Sequence, residues 1–159
     1  MRIVEHTYTL NGKLVARKKT TKIILHCSAT PDGRDYTAEQ IDAWHKNKGW
    51  TCIGYHYVIY RDGTIHRGRP EDVKGAHASE QNPVSIGICY IGGCDRNGKG
   101  TVDTRTRAQK KSMYELVDYL LKKYGLSLED VHGHYEYANK ECPSFKIQQF
   151  KREFSEWKG

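Results

Sequence analysis

The chain has 159 residues, 37% hydrophobic and 28% charged, a balance that fits one globular domain able to bury a single sizeable core. No apolar run approaches the roughly 18–20 residues of a membrane span, and residues 1–10 show neither an apolar h-region nor a small-residue cleavage site, so neither membrane insertion nor a signal peptide is expected. A net charge of +7 favours polyanionic partners, but apart from Arg17-Lys-Lys19 and Lys110-Lys111 the basic residues are scattered, which argues against specific nucleic-acid binding.

Residues 3–16 alternate on either side of Asn11-Gly12, a strong two-residue turn signal, and predict an amino-terminal hairpin. The apolar run 22–27 is bounded by turn residues and reads as a buried strand with His26 near its carboxyl end. Thr37-Ala-Glu-Gln40 is a capping box; Ile41, Trp44 and His45 follow at helical spacing, and Gly49 stops that helix. Residues 54–60 alternate as a strand, and Arg61-Asp-Gly-Thr64 turns the chain into Ile65-His-Arg67. Residues 85–91 form a second apolar run, read as a central strand closed by Gly92-Gly93, and 94–104 read as a polar loop. A second capping box, Thr106-Arg-Ala-Gln109, opens a helix in which Met113, Leu116, Val117, Leu120 and Leu121 follow the i, i+3, i+4, i+7, i+8 pattern before Gly125. Residues 130–137 read as extended. A last helix runs from about Ile147 to Trp157, with Phe150, Phe154 and Trp157 on one face. The interleaved order predicts an α/β fold, a single mixed β-sheet flanked by helices, in one domain with residues 1–20 as an extension and 21–159 as the core.

The chemistry concentrates in the segment from His134 to Phe145, which holds an imidazole, a lysine (Lys140) and a thiol (Cys142) followed by a proline that fixes the chain direction. His26 offers a third ligand from the end of its strand. Two histidines and a cysteine form a borderline-soft set that suits one zinc ion and leaves a fourth position open, the mark of a catalytic rather than a structural site. His132 shares a strand face with His134 at a spacing of two and is a rival ligand. Cys27, Cys52, Cys89 and Cys94 have no Cys-x-x-Cys partner and read as small buried hydrophobes. Five cysteines without framework spacing suit synthesis in a reducing compartment, the cytoplasm.

Five segments, in order, carry a family resemblance: His26-Cys-Ser-Ala-Thr30; Trp44-His-Lys46 with Gly49-Trp50; Gly54-Tyr-His-Tyr57 with Arg61-Asp-Gly-Thr64; Gly75-Ala-His-Ala78 with Asn82 and residues 85–93; and His134 through Phe145. Over roughly residues 20–157 the chain resembles the type-2 N-acetylmuramoyl-L-alanine amidases, the family of phage lysozyme-amidases and animal peptidoglycan recognition proteins. The resemblance implies an amidase-2/peptidoglycan-recognition-like fold with His26, His134 and Cys142 as zinc ligands. It makes Tyr55 and Lys140 the active-site tyrosine and lysine, and His77 a histidine near the substrate groove. The implied reaction is hydrolysis of the amide between the lactyl group of N-acetylmuramic acid and the L-alanine of peptidoglycan, by a monomer of phage or prophage endolysin type. Such an enzyme would be made in the cytoplasm and reach the cell wall after lysis or by a separate export route. Two other classes compete: a non-catalytic peptidoglycan-binding module, disfavoured by retention of Cys142, Tyr55 and Lys140, and a polymerase-binding regulator. Trp50, Tyr57 and Tyr137 are candidate groove aromatics.

Overall fold

A computed structural model describes residues 1–159. In chain order the strands are β1 (Ile3–Val4), β2 (Lys22–Cys27), β3 (Thr30–Pro31), β4 (Tyr57–Ile59), β5 (Ile65–Arg67), β6 (Ser85–Tyr90), β7 (Gly93–Cys94) and β8 (Val131–Gly133). The helices are α1 (Ala38–Asn47), α2 (Arg107–Tyr124) and α3 (Ile147–Lys158). Six strands form one mixed sheet in the order β1-β5-β4-β6-β2-β8, and β3 and β7 pair separately. Only β4 and β5 run antiparallel; β2 lies parallel to both β6 and β8, with His26 opposite Cys89.

Alternation along the central strands divides the molecule. Ile23, Leu25 and Cys27 of β2, Ile86, Ile88 and Tyr90 of β6, and Tyr57 and Ile59 of β4 join the large core with Met113, Leu116, Val117 and Leu120 of α2 and Phe150 and Phe154 of α3. The opposite face meets α1 in a smaller cluster of Ala38, Ile41, Ile53, Val58 and Ile91. Both expected capping boxes are present. Thr37 Oγ1 accepts from the Gln40 N–H at 3.2 Å while Gln40 Oε1 accepts from the Thr37 N–H at 2.8 Å, and Thr106 and Gln109 repeat the exchange at 3.0 and 2.9 Å. At the far end of α2, Gly125 takes a left-handed φ of 64° that an L side chain would strain.

The amino-terminal hairpin is not formed. Ile3 and Val4 pair in parallel with Ile65 and His66, the Asn11 N–H bonds Thr51 O, and Ala16 bridges Val73, so residues 3–16 run as an arm along the body. The free edge of β5 offers a half-buried place for Ile3 and Val4 that an isolated two-stranded ribbon lacks. Two strands are also shorter than expected. The Gly54 N–H is taken by His45 Nδ1 at 2.8 Å, and the ladder starts only at Tyr57. After β8 the Glu136 carboxylate accepts the Gly133 N–H at 2.8 Å and the chain winds into a 3₁₀ turn over His134–Glu136.

Gln109 ties α2 to the sheet. It is fully buried, and its Nε2 donates to Ile59 O at 3.2 Å and to Ile91 O at 3.0 Å. Gln109→Ala strips a donor from both carbonyls and removes half the capping box. We expect a loss of about 2–3 kcal/mol in urea unfolding, and an unchanged midpoint would contradict the bridging role.

Candidate functional site

Pleat parity puts His26 on the α1 side of the sheet, and β2 ends one residue later. His134 follows the end of neighbouring β8, and Cys142 returns on the next loop, where the Tyr135 N–H donates to Cys142 O at 2.9 Å. The ligand atoms of His26, His134 and Cys142 all lie within 4.8 Å of one another, and His26 Nδ1 is 3.7 Å from Cys142 Sγ. One tetrahedral ion with nitrogen at about 2.0–2.1 Å and sulfur at about 2.3 Å has an N–S edge of about 3.6 Å, so the donor set fits a single zinc-sized cation. His132 is turned away from the cluster, its Nδ1 at 3.1 Å from Glu136 Oε1.

The electrostatics prepare the two imidazoles but not the thiol. Burial, then the nearby His77, His134 and Lys140, holds His26 well below the usual histidine range. Burial and Lys140 also lower His134. Both imidazoles are therefore neutral at pH 7 and each has a lone pair to offer. The Cys27 thiol beside it and then burial push the Cys142 thiol well above its usual range, opposed by the Cys27 backbone N–H that donates to Sγ at 3.1 Å, so Cys142 holds its proton until a bound cation displaces it.

Tyr55 stands beside the cluster, its ring centroid 5.1 Å from that of His26. Burial pushes its phenol well above the ordinary value, so the hydroxyl keeps its proton and remains a donor. Behind it, the His45 ring lies 5.4 Å from the Tyr55 ring and 4.5 Å from Trp50. Lys140 is exposed on the loop before Cys142 and has no carboxylate partner.

His77, expected near a substrate groove, is buried, with Nδ1 at 2.8 Å from His26 Nε2 and Nε2 at 3.3 Å from Ser85 Oγ. Tyr57, expected in that groove, is 1% exposed and belongs to the large core on the other face of the sheet. Trp50 and Tyr137 are half-buried. In the sequence His45 has only a place on the first helix and His56 no role, yet the buried ring of His45 packs beside Tyr55 and that of His56 accepts the Gly87 N–H of β6, contacts that leave no local mark in the sequence.

A family model described as N-acetylmuramoyl-L-alanine amidase matches residues 16–145. The endolysin of Escherichia phage T7 is 41% identical over 134 residues, covering 84% of this chain and 87% of its own. Peptidoglycan-recognition protein SC2 of Drosophila melanogaster is 34% identical over 122 residues, covering 76% of this chain and 63% of its own. Among solved structures, the N-acetylmuramoyl-L-alanine amidase LysC from Clostridium intestinale superposes with a TM-score of 0.83 at 33% identity, covering 98% of each chain.

Protonation opposes this architecture. His56 is fully buried, with Nε2 at 2.8 Å from Val73 O and Nδ1 accepting the Gly87 N–H at 3.0 Å. Burial lowers its pKa to about 4, whereas an unfolded histidine titrates near ~6.5. Between those values the unfolded state binds the extra proton, so stability is full above pH ~6.5 and falls as the pH drops toward 4. We expect His56 alone to contribute a loss of roughly 3 kcal/mol over that window. Urea unfolding at stepped pH, compared between the wild type and a folded His56→Gln variant with chelator in both, checks it; an equal loss in the two proteins would rule out the neutral buried state of His56.

Proposed function

Because the chain belongs to the N-acetylmuramoyl-L-alanine amidase family, we propose that His26, His134 and Cys142 hold one zinc ion with Tyr55 and Lys140 as catalytic residues beside it. The chain is an amidase that cleaves the bond between the lactyl group of N-acetylmuramic acid and the L-alanine of peptidoglycan, and its kinship is with phage endolysins. The observation that carries the zinc reading is convergence. Ligands 116 residues apart in sequence, His26 and Cys142, bring a nitrogen and a sulfur to a tetrahedral edge length with His134 completing the triangle.

His26, His134 and Cys142 would hold the ion, which would supply Lewis-acid chemistry for the scissile carbonyl and for activation of water. The residues supply the rest. Tyr55, kept neutral by burial, donates a hydrogen bond toward the reacting centre. Lys140, exposed and without a carboxylate partner, brings its ammonium to the carbonyl oxygen as negative charge develops there. The buried side of the cluster, His26 with His77 behind it, excludes water, and a set of three protein donors would suit a catalytic rather than a structural metal. Retention of Cys142, Tyr55 and Lys140 together favours catalysis over simple recognition. No helix is long and apolar enough to cross a membrane, and we read the protein as a monomer acting on the wall after release from the cell that makes it.

Digestion of purified peptidoglycan tests the reaction. New alanine amino termini are expected, without new reducing sugar ends, and a chelator should abolish them. Cys142→Ala should lose bound zinc and activity together, and full activity in that variant would remove Cys142 from the ligand set. Lys140→Ala should keep its zinc while turnover falls about 100- to 1,000-fold, the usual effect of removing one oxyanion donor. A wild-type rate would refute the role of Lys140.

A further inference from the structure

The hydrogen-bond chain behind His26 has only one consistent direction. At its far end the Ser85 hydroxyl donates to Gln81 O at 2.7 Å, and a carbonyl can only accept. With its proton committed there, Ser85 Oγ accepts from His77 Nε2 at 3.3 Å. That nitrogen carries the proton, so Nδ1 of the neutral His77 is a lone pair, and it lies 2.8 Å from His26 Nε2. His26 Nε2 must then be the donor. The remaining nitrogen, Nδ1, holds a lone pair on the side of Cys142 Sγ, 3.7 Å away.

His77 is held in place as firmly as a ligand would be. Asn82 Oδ1 accepts the backbone N–H of His77 at 3.0 Å and of Ala78 at 2.9 Å. The ring lies where two glycines leave space: a Cβ on Gly87 would stand 2.6 Å from His77 Cγ, and one on Gly75 would stand 2.5 Å from His77 Cδ2. Ser85, Gly87 and Cys89 are the β6 residues facing this side, and Gly87 sits opposite Ile24, one pleat below His26. A small residue at that point of the strand makes the slot, and the hydroxyl two residues earlier closes the chain.

We infer that His77 is a positioning residue that acts through His26, the chain from the Gln81 carbonyl through Ser85 and His77 fixing the tautomer in which His26 presents Nδ1 to the metal. The inference rests on the reading of His26, His134 and Cys142 as a metal site. It assigns His77 to the metal's support, behind the cluster, and gives Ser85, Gly75 and Gly87 their reasons for being small. An acceptor on the distal N–H also raises the basicity of the ligating nitrogen, and losing such a partner typically weakens metal binding about 10- to 100-fold.

The test reads metal binding rather than turnover. Zinc affinity is measured by competition with a chromophoric chelator, and the visible bands of the Co²⁺-substituted protein report ligand geometry. His77→Phe fills the slot without an acceptor and should bind zinc about 10- to 100-fold more weakly, with altered Co²⁺ bands. His77→Asn, whose side-chain oxygen can take the position of Nδ1, should recover most of that loss. Gly87→Ala removes no hydrogen-bonding group, but its Cβ would stand 2.7 Å from His77 Nδ1 and so displaces the ring; it should reproduce the His77→Phe defect while retaining its circular dichroism, and it decides the matter if His77→Phe does not fold. Wild-type affinity and unchanged Co²⁺ bands in Gly87→Ala, or in a folded His77→Phe, would overturn the relay and leave the metal site standing. A wild-type protein that takes up neither metal would instead overturn the metal site itself.

Discussion

The parallel register between Lys22–Cys27 and Ser85–Tyr90 is the constraint on which the rest of the molecule depends. Side chains alternate across a sheet with period two, so the register that sends Ile23 and Leu25 into the large core also sends His26 to the opposite side. A one-residue slip would bury the imidazole in the aliphatic core and carry Ile23 and Leu25 to the α1 side. The geometry of the His26, His134 and Cys142 cluster is therefore held in part by the burial of residues that never touch it. Fixing a ligand to the core's own register is more precise than placing it on a free loop.

Cys142 has no such strand beneath it, and several weaker ties fix its position instead. Tyr90 OH donates to Pro143 O at 2.8 Å, and Ser144 Oγ donates to Gly93 O at 2.9 Å. Gly93, at a φ of 105°, sits where a Cβ would stand 2.5 Å from Cys27 Sγ, so the loop can approach β2 closely only because that residue is glycine. Farther along, the Arg105 guanidinium lies 3.8 Å from the Phe145 ring and bonds Asp103 at 2.9 Å, which pins the exit of the loop to the start of α2. The segments that carry His26 and Cys142 are thus positioned by different physics: apolar periodicity for His26, and a network of polar ties for Cys142.

That difference explains what could be read from the sequence. Capping boxes and apolar periods are local signals, and both long helices and both central strands follow them closely. His26, His134 and Cys142 could be named as candidate donors from their chemistry, but that His134 and not His132 joins the cluster was not legible, because it depends on the 3₁₀ turn that Glu136 induces after β8. The arm at residues 3–16 misled for the opposite reason. Its turn signal is real and local, while its partner, the free edge of β5, lies some 60 residues away and leaves no local mark. His77 was legible as a histidine of interest and not as one behind the cluster. Its depth follows from the alternation of Ser85, Gly87 and Cys89 against Ile86, Ile88 and Tyr90, a pattern that sets the strand's two faces apart only when the fold shows which face is which.

The two faces also divide the energetic tasks. On the helix α2 and α3 side the strands meet an aliphatic and aromatic core whose buried side chains are apolar except for Gln109, which bridges two strands, and Arg105, which lies over the Phe145 ring and is paired with Asp103. On the α1 side the sheet carries His26, His56, His77 and Ser85, each of them buried and each given a hydrogen-bond partner. Buried polar groups stabilise little in net terms and cost dearly when one partner is lost, so this side contributes geometry more than stability. A domain with its polar groups shared evenly between the two faces would have a weaker core and a looser site. Concentrating the apolar burial on one side allows the other to hold neutral imidazoles in fixed orientations, which is what a catalytic metal site requires of its protein.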